Sequence, residues 1–385
     1  MTKRLSSLEI AVSKLNWFGV DLDHTLIRYN NANLLPLIFT SLGNTLLGLG
    51  LVRNLPCFDR HFCSRGLVFD ARTGDLLRLD SNGKVCAARH GYASTGILDA
   101  ASIQKKYGNK WRSHNEILES WKPTDALIMA THFDSPAIQL CALMVDHIDS
   151  EATTTSTTTD YSTVLPPLFQ AFNANFSPPY FSDGTSEYFN GIKRDPHRYV
   201  LPRSTLLPCF RRLRQEHDTK IMIVTNSAHD YASLLLQTAF GEDYLTEFDL
   251  IIYNAKKKRG FFKGNSPFLQ QGNSGKEWSE GNVNLLHTQF LGGNDQTVLY
   301  AGDDVGVDLL LCLTISLINL IAIDTCTQLF FLFFTFCLST SFQYLSCFNI
   351  YFNIYFKNLF QISIYPIEFF SFLVSFEKRS MVIQN

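Results

Sequence analysis

An α/β fold, with a parallel-sheet core interrupted by a large inserted α+β cap, is predicted by three observations. Four short apolar runs each end in polar groups. Helical patterns follow some of these runs. A long segment rich in hairpin signals separates the first run from the second. Strands that alternate with helices indicate βα units and a parallel sheet, and ligands of such sheets bind beyond the carboxyl ends of the strands.

The first run, Trp17–Val20, stops at Asp21 within "FGVDLDHTLIRYN". The second, "KIMIVTNS" (Lys220 to Ser227), ends in hydroxyl and amide groups. The third is "FDLIIYNA" (Phe248 to Ala255) and the fourth "TVLYAGDD" (Thr297 to Asp304). Helices are expected over Leu206 to Glu216 and Asp230 to Phe240. The interval between the first two strands is too long for one crossover. Its segment from Arg65 to Gly91 alternates and carries turn signals at Thr73-Gly74 and Asn82-Gly83, so it reads as hairpins. A helix is expected from about Pro136 to Ile148, followed by a low-complexity loop, "EATTTSTTTDYST", at 151–163. Asn265 to Asn282 reads as a second polar loop. The resulting division is core at 1–30, cap at 31–193, core again at 194–308 and an apolar tail at 309–385.

Bulk properties narrow the function. A formal net charge of -2 over 385 residues, with 18% charged residues, gives no reason to expect a nucleic-acid partner. The nine cysteines form no C-x-x-C pair and no zinc-ligand spacing, which suits a reducing, cytoplasmic setting. The N-terminus has no long apolar stretch of the secretory kind.

The chemistry lies at the strand ends. Asp21 and Asp23 are two carboxylates two residues apart, a repulsive pair unless a cation or proton sits between them. "AGDDVGVD" adds Asp303 and Asp308, and hard carboxylate oxygens suit Mg²⁺. Thr225, Asn226 and Ser227 are donors suited to phosphate oxygens, and a helix start nearby would add free N–H groups. "AKKKRG" offers a cation for a phosphoryl group. Taken singly, D-x-D-x-T could be a solvated turn, TNS an N-cap and KKKR a surface patch. Their order at four successive strand ends selects the chemical reading.

These motifs, with "RGLVFDARTGDLLRLDSNGKV", "FDSPAIQLCALMVDH", "IKRDPHRYV" and "NAKKKRGFF", resemble the haloacid dehalogenase superfamily of phosphohydrolases, and within it the cytosolic purine 5'-nucleotidase group, over about Asn16 to Asp308. The resemblance implies a Rossmann-like core and a Mg²⁺-dependent phosphomonoesterase acting on nucleoside 5'-monophosphates. Asp21 would be the nucleophile and Asp23 the general acid and base. Thr225, Asn226 and Ser227 would bind phosphate. Mg²⁺ would be held by Asp21, the Asp23 carbonyl and Asp303, with Asp308 in support. The motif lysine is Lys257 counting from Asn254 and Lys258 counting back from Phe261, because the segment is one residue longer than the family pattern. The partner is a small phosphomonoester, and a homo-oligomer is compatible with the sequence. The alternative is a catalytically weak or inactive protein that binds or regulates on the same fold.

The tail departs from the rest. Between Asp308 and Lys357 the only charged residue is Asp324, and no glycine follows Gly306. It reads either as a membrane span around Leu329 to Phe348, about the length a bilayer needs, or as translated non-coding sequence that replaces the last part of the core. Its AT-rich codon preference favours the second.

Overall fold

A computed structural model of the chain describes residues 15–118, 125–155, 159–257, 260–262, 264–293, 296–303 and 321–324. Thirteen strands occur among them: β1 (Trp17–Val20), β2 (Arg28–Tyr29), β3 (Leu67–Asp70), β4 (Asp75–Leu79), β5 (Val85–His90), β6 (Ala126–Ile128), β7 (Val200–Leu201), β8 (Lys220–Val224), β9 (Leu250–Tyr253), β10 (Phe268–Gln271), β11 (Glu277–Glu280), β12 (Val298–Gly302) and β13 (Ile321–Asp324). The main sheet has the order β10-β11-β9-β8-β1-β12-β13. β1 is parallel to β8 and to β12, and β8 is parallel to β9, as the four apolar runs predict.

The central strands are apolar without interruption because both faces of the sheet are covered. Along β8, Ile221 and Ile223 enter one core with Phe18, Val20 and Phe210. Met222 and Val224 enter a second core with Trp17, Ile252 and Tyr300 on the opposite face. Each such side chain stabilises by about 1.5–3 kcal/mol when fully buried. In β1, a Cβ on Gly19 would lie 2.7 Å from the Tyr300 ring and 2.8 Å from the Met222 methyl, so the close approach of these two side chains requires glycine.

Helices Leu207–His217 and His229–Phe240 match expectation to within a residue. The polar segment Asn265 to Asn282 does not form a loop. It holds the antiparallel hairpin β10–β11, and β11 is parallel to β9 at the sheet edge. Polar side chains pack there because they are satisfied: buried Glu277 accepts the Tyr253 hydroxyl at 2.9 Å.

The inserted segment contains the sheet β5-β4-β3-β6. Both expected hairpins are present, and Gly74 (φ 72°) and Gly83 (φ 80°) take the left-handed conformation their turns require. The expected helix runs from Ala137 to Thr155, beyond Ile148 and into the stretch expected to be a loop. Threonines are weak helix formers, and tertiary contacts hold the helix's last turns. Asp149 on this helix accepts the Tyr161 hydroxyl at 2.6 Å and contacts His90 Nε2 at 3.0 Å. β2 and β7 pair antiparallel, so the chain leaves the core and returns to it at neighbouring positions.

His90 faces Asp75 (2.8 Å) and Asp149, with Tyr161, Lys106 and Tyr107 around the same carboxylates. The Asp75 hydrogen bond leads the causes that raise the His90 pKa above its ordinary 6.5, with burial opposing. Because the folded value is raised, this contribution to stability is whole below about pH 6.5 and is lost as pH climbs through the raised value. The urea midpoint of the chain is therefore expected to fall as pH rises above about 6.5. His90→Gln should flatten that part of the profile, and an unchanged slope in the variant would contradict it.

Of the tail, only Ile321–Asp324 is described. It forms β13, parallel to β12 at the edge of the main sheet. Among the described residues no helix is long and apolar enough to cross a membrane, and Leu329 to Phe348 lies outside them.

Candidate active site

The sheet brings the four strand ends together. β8 lies on one side of β1 and β12 on the other, so the chain reverses its direction of travel across the sheet beside β1, the usual place for a ligand crevice. The Asp21 N–H donates to the Ala301 carbonyl at 2.8 Å, which holds the end of β1 against β12. Asp303 follows directly on β12. Asp21 and Asp303 are 8% and 9% exposed, so both carboxylates lie nearly out of water at adjacent strand ends.

After Asp21 the backbone folds into a wide turn, with the Leu26 N–H donating to the Asp21 carbonyl and the Ile27 N–H to that of Leu22. His24 takes the left-handed conformation (φ 54°). This turn gives the two carboxylates separate partners. Asp21 Oδ1 receives the Leu22 N–H at 2.8 Å and pairs with Lys257 Nζ at 2.7 Å. Asp23 receives the Tyr29 hydroxyl on Oδ1 at 2.5 Å and the Ser227 hydroxyl on Oδ2 at 2.6 Å. Burial raises the Asp23 pKa above the ordinary carboxylate value, against the pull of the two hydroxyls and of the Lys257 charge. A raised carboxyl pKa suits a group that must carry a proton.

The second strand end forms a tight loop. Buried Thr225 accepts the Ser227 N–H on Oγ1 at 3.0 Å. Ser227 lies two residues before the helix that begins at His229, so a helix start does follow this loop. The Ser227 hydroxyl, expected on phosphate, is directed to Asp23. Asn226 Oδ1 accepts the Lys257 N–H at 2.8 Å and so ties the second strand end to the third.

Two of the three consecutive lysines, Lys256 and Lys257, are told apart by backbone shape. Asn254 (φ 47°) and Lys256 (φ 52°) are both left-handed, and the segment turns sharply between them. Lys256 reaches Glu280 at the surface, whereas Lys257 is 1% exposed and reaches Asp21. The Lys257 ammonium also lies 5.5 Å from the centre of the Tyr300 ring, within cation–π reach. Lys258 and Asp308 lie outside the described residues.

Insertion residues complete the surroundings. The rings of His132 and Phe133 lie 4.7 and 4.9 Å from that of His24. Burial, with the Arg65 charge adding, pushes His132 down to about 4, and burial leads the causes that hold His24 well below its ordinary value. Both imidazoles are thus neutral near pH 7. Tyr29 and His24 stand inside "FGVDLDHTLIRYN", and His132 directly precedes "FDSPAIQLCALMVDH", but residue type alone does not show their place around Asp23.

The donor set fits Mg²⁺. Asp21 and Asp303 supply hard oxygens, and Mg²⁺ commonly takes one or two carboxylates and keeps several waters. Among the described residues no group of three or more His, Cys, Asp or Glu is arranged to hold a metal ion.

The family model described as "5' nucleotidase family" matches residues 6–314. Human 5'-nucleotidase domain-containing protein 1 is 29% identical over 314 residues, covering 76% of this chain and 67% of that protein. The bovine protein of the same name is 28% identical over 315 residues, covering 76% and 68%. With the family match spanning most of its length, the chain belongs to the 5'-nucleotidase family.

Proposed function

We propose that the chain is a Mg²⁺-dependent phosphomonoesterase that removes phosphate from nucleoside 5'-monophosphates through an aspartyl-phosphate. The observation that carries this reading is the buried Asp21–Lys257 pair at 2.7 Å, set beside Asp23 with its raised pKa. An Asp21 oxygen attacks phosphorus, and the ester P–O bond breaks. Asp23 gives its proton to the departing oxygen. It then takes a proton from water, whose oxygen attacks the aspartyl-phosphate; phosphate leaves and the Asp21 carboxylate returns. Lys257 faces the charge that builds on the phosphoryl oxygens. The Thr225–Asn226 loop supports binding of those oxygens, and His132 and Phe133 help to exclude water on the insertion side. The Asp21 carboxylate, the Asp23 carbonyl and Asp303, with Asp308, would hold Mg²⁺, which supplies charge neutralisation when bound. A cytoplasmic location belongs to the same reading, supported by the free thiols of Cys63 and Cys141.

The test is release of inorganic phosphate by the full chain from a panel of nucleoside 5'-monophosphates, with Mg²⁺ and after chelation by EDTA. Release is expected with Mg²⁺, with a loss of about 100-fold or more on chelation. Binding of nucleotides without release under any condition would instead support a non-catalytic binding protein.

A further inference from the structure

The Tyr29 hydroxyl that grips Asp23 is the end of a buried chain. Tyr29, Tyr231 and Tyr188 are 5%, 6% and 1% exposed. The Tyr29 and Tyr231 hydroxyls lie 3.4 Å apart, and those of Tyr231 and Tyr188 lie 2.7 Å apart. Each phenol has one proton. Tyr29 commits its own to the Asp23 carboxylate at 2.5 Å. In the longer contact the donor must then be Tyr231, and in the shorter one Tyr188. All three O–H groups therefore run in one direction, toward Asp23, an arrangement in which each bond strengthens the next.

The three tyrosines come from three segments. Tyr29 is on β2, where the chain leaves the core; Tyr188 is on the helix Glu187–Arg194, shortly before it returns; and Tyr231 is on His229–Phe240. Ser227 grips the other carboxylate oxygen from the core. Hydroxyls on both oxygens stop rotation of the carboxylate, while each oxygen keeps a second lone pair for a transferred proton.

We propose that Tyr29, backed by Tyr231 and Tyr188, is a positioning residue that aims Asp23 at the leaving-group oxygen. The proposal rests on the phosphatase reading for its kinetic consequence and on the hydrogen-bond geometry alone for its structural one. A misaimed proton donor matters when the leaving oxygen is basic, as in a nucleoside, and matters little when it is not, as in p-nitrophenol. General loss of structure would lower both rates together.

The experiment measures kcat/KM of the full chain and of Tyr29→Phe on a nucleoside 5'-monophosphate and on p-nitrophenyl phosphate. This constant reports the steps up to departure of the leaving group and is insensitive to later hydrolysis. A fall of about tenfold or more on the nucleotide and less than about threefold on p-nitrophenyl phosphate is expected. Tyr231→Phe should move the same ratio in the same direction, by about threefold. Equal falls on both substrates overturn the proposal. A crystal structure of Tyr29→Phe provides an arm that needs no activity: the Asp23 carboxylate should turn away from Ser227, and an unmoved carboxylate overturns the proposal whatever the rates. If wild type and Asp21→Asn release phosphate equally, the phosphatase reading falls, and the crystallographic arm still decides whether Tyr29 holds Asp23.

Discussion

Asp21→Asn is expected to reduce phosphate release by at least about 10³-fold, the scale on which removal of a covalent nucleophile acts. The amide keeps the shape of the side chain and can still accept the Leu22 N–H, so the turn after β1 should persist. What it loses, on the proposed mechanism, is the anion that attacks phosphorus. The substitution also removes the negative partner from a pair in which Lys257 is 1% exposed. Breaking a buried pair on one side typically destabilises by about 3–5 kcal/mol. Thermal unfolding must therefore be followed beside the rate: a folded Asp21→Asn chain with no release isolates the chemical role. A folded variant that releases phosphate at the wild-type rate would end the aspartyl-phosphate mechanism.

Lys257→Met is the second large effect. Methionine nearly matches the length of the lysine stem, which runs through a buried space beside Tyr300. Packing is thus largely kept, and the charge is removed. Loss of one preorganised group facing the developing charge is worth about 10²–10³ in kcat. Lys256→Met is the control, because Lys256 pairs with Glu280 at the surface and should leave kcat within about twofold. Comparable losses in the two variants would refute the assignment of the motif lysine to Lys257.

These two predictions draw on different layers of what the sequence shows. Asp21 is legible because β1, β8, β9 and β12 are covered on both faces, which forces continuous apolar runs and makes the polar residues at their ends conspicuous. The hairpins at Gly74 and Gly83 are legible because their turns require left-handed backbone. The contact of Lys257 with Asp21 is not legible, since it follows left-handed turns at Asn254 and Lys256, neither of them glycine. The β10–β11 hairpin is hidden because two of its buried residues, Glu277 and Ser279, are polar, and Glu277 is satisfied by a distant partner, Tyr253. The extension of the helix to Thr155 is hidden for a related reason: contacts made by Asp149 with residues outside the helix override a run of weak helix formers. Tyr29 lies six residues from Asp23 along the chain, and only the turn at His24 and the pairing of β2 with β7 bring its hydroxyl back to the carboxylate.

The β2–β7 pairing also bears on how the chain reaches this structure. The register of β1 against β8 sets Trp17 beside Lys220, so the contact at the centre of the sheet must close a loop of roughly 200 residues. Closure entropy grows as the logarithm of loop length, and a tenfold shorter loop costs about 2 kcal/mol less. Once the inserted segment has folded and its two ends are paired as β2 and β7, most of that length no longer counts. The chain that β1 and β8 must then bridge is the few tens of residues outside the insertion. A large insertion with adjacent ends thus adds length to the protein while sparing the search for its central sheet most of the delay that length would impose.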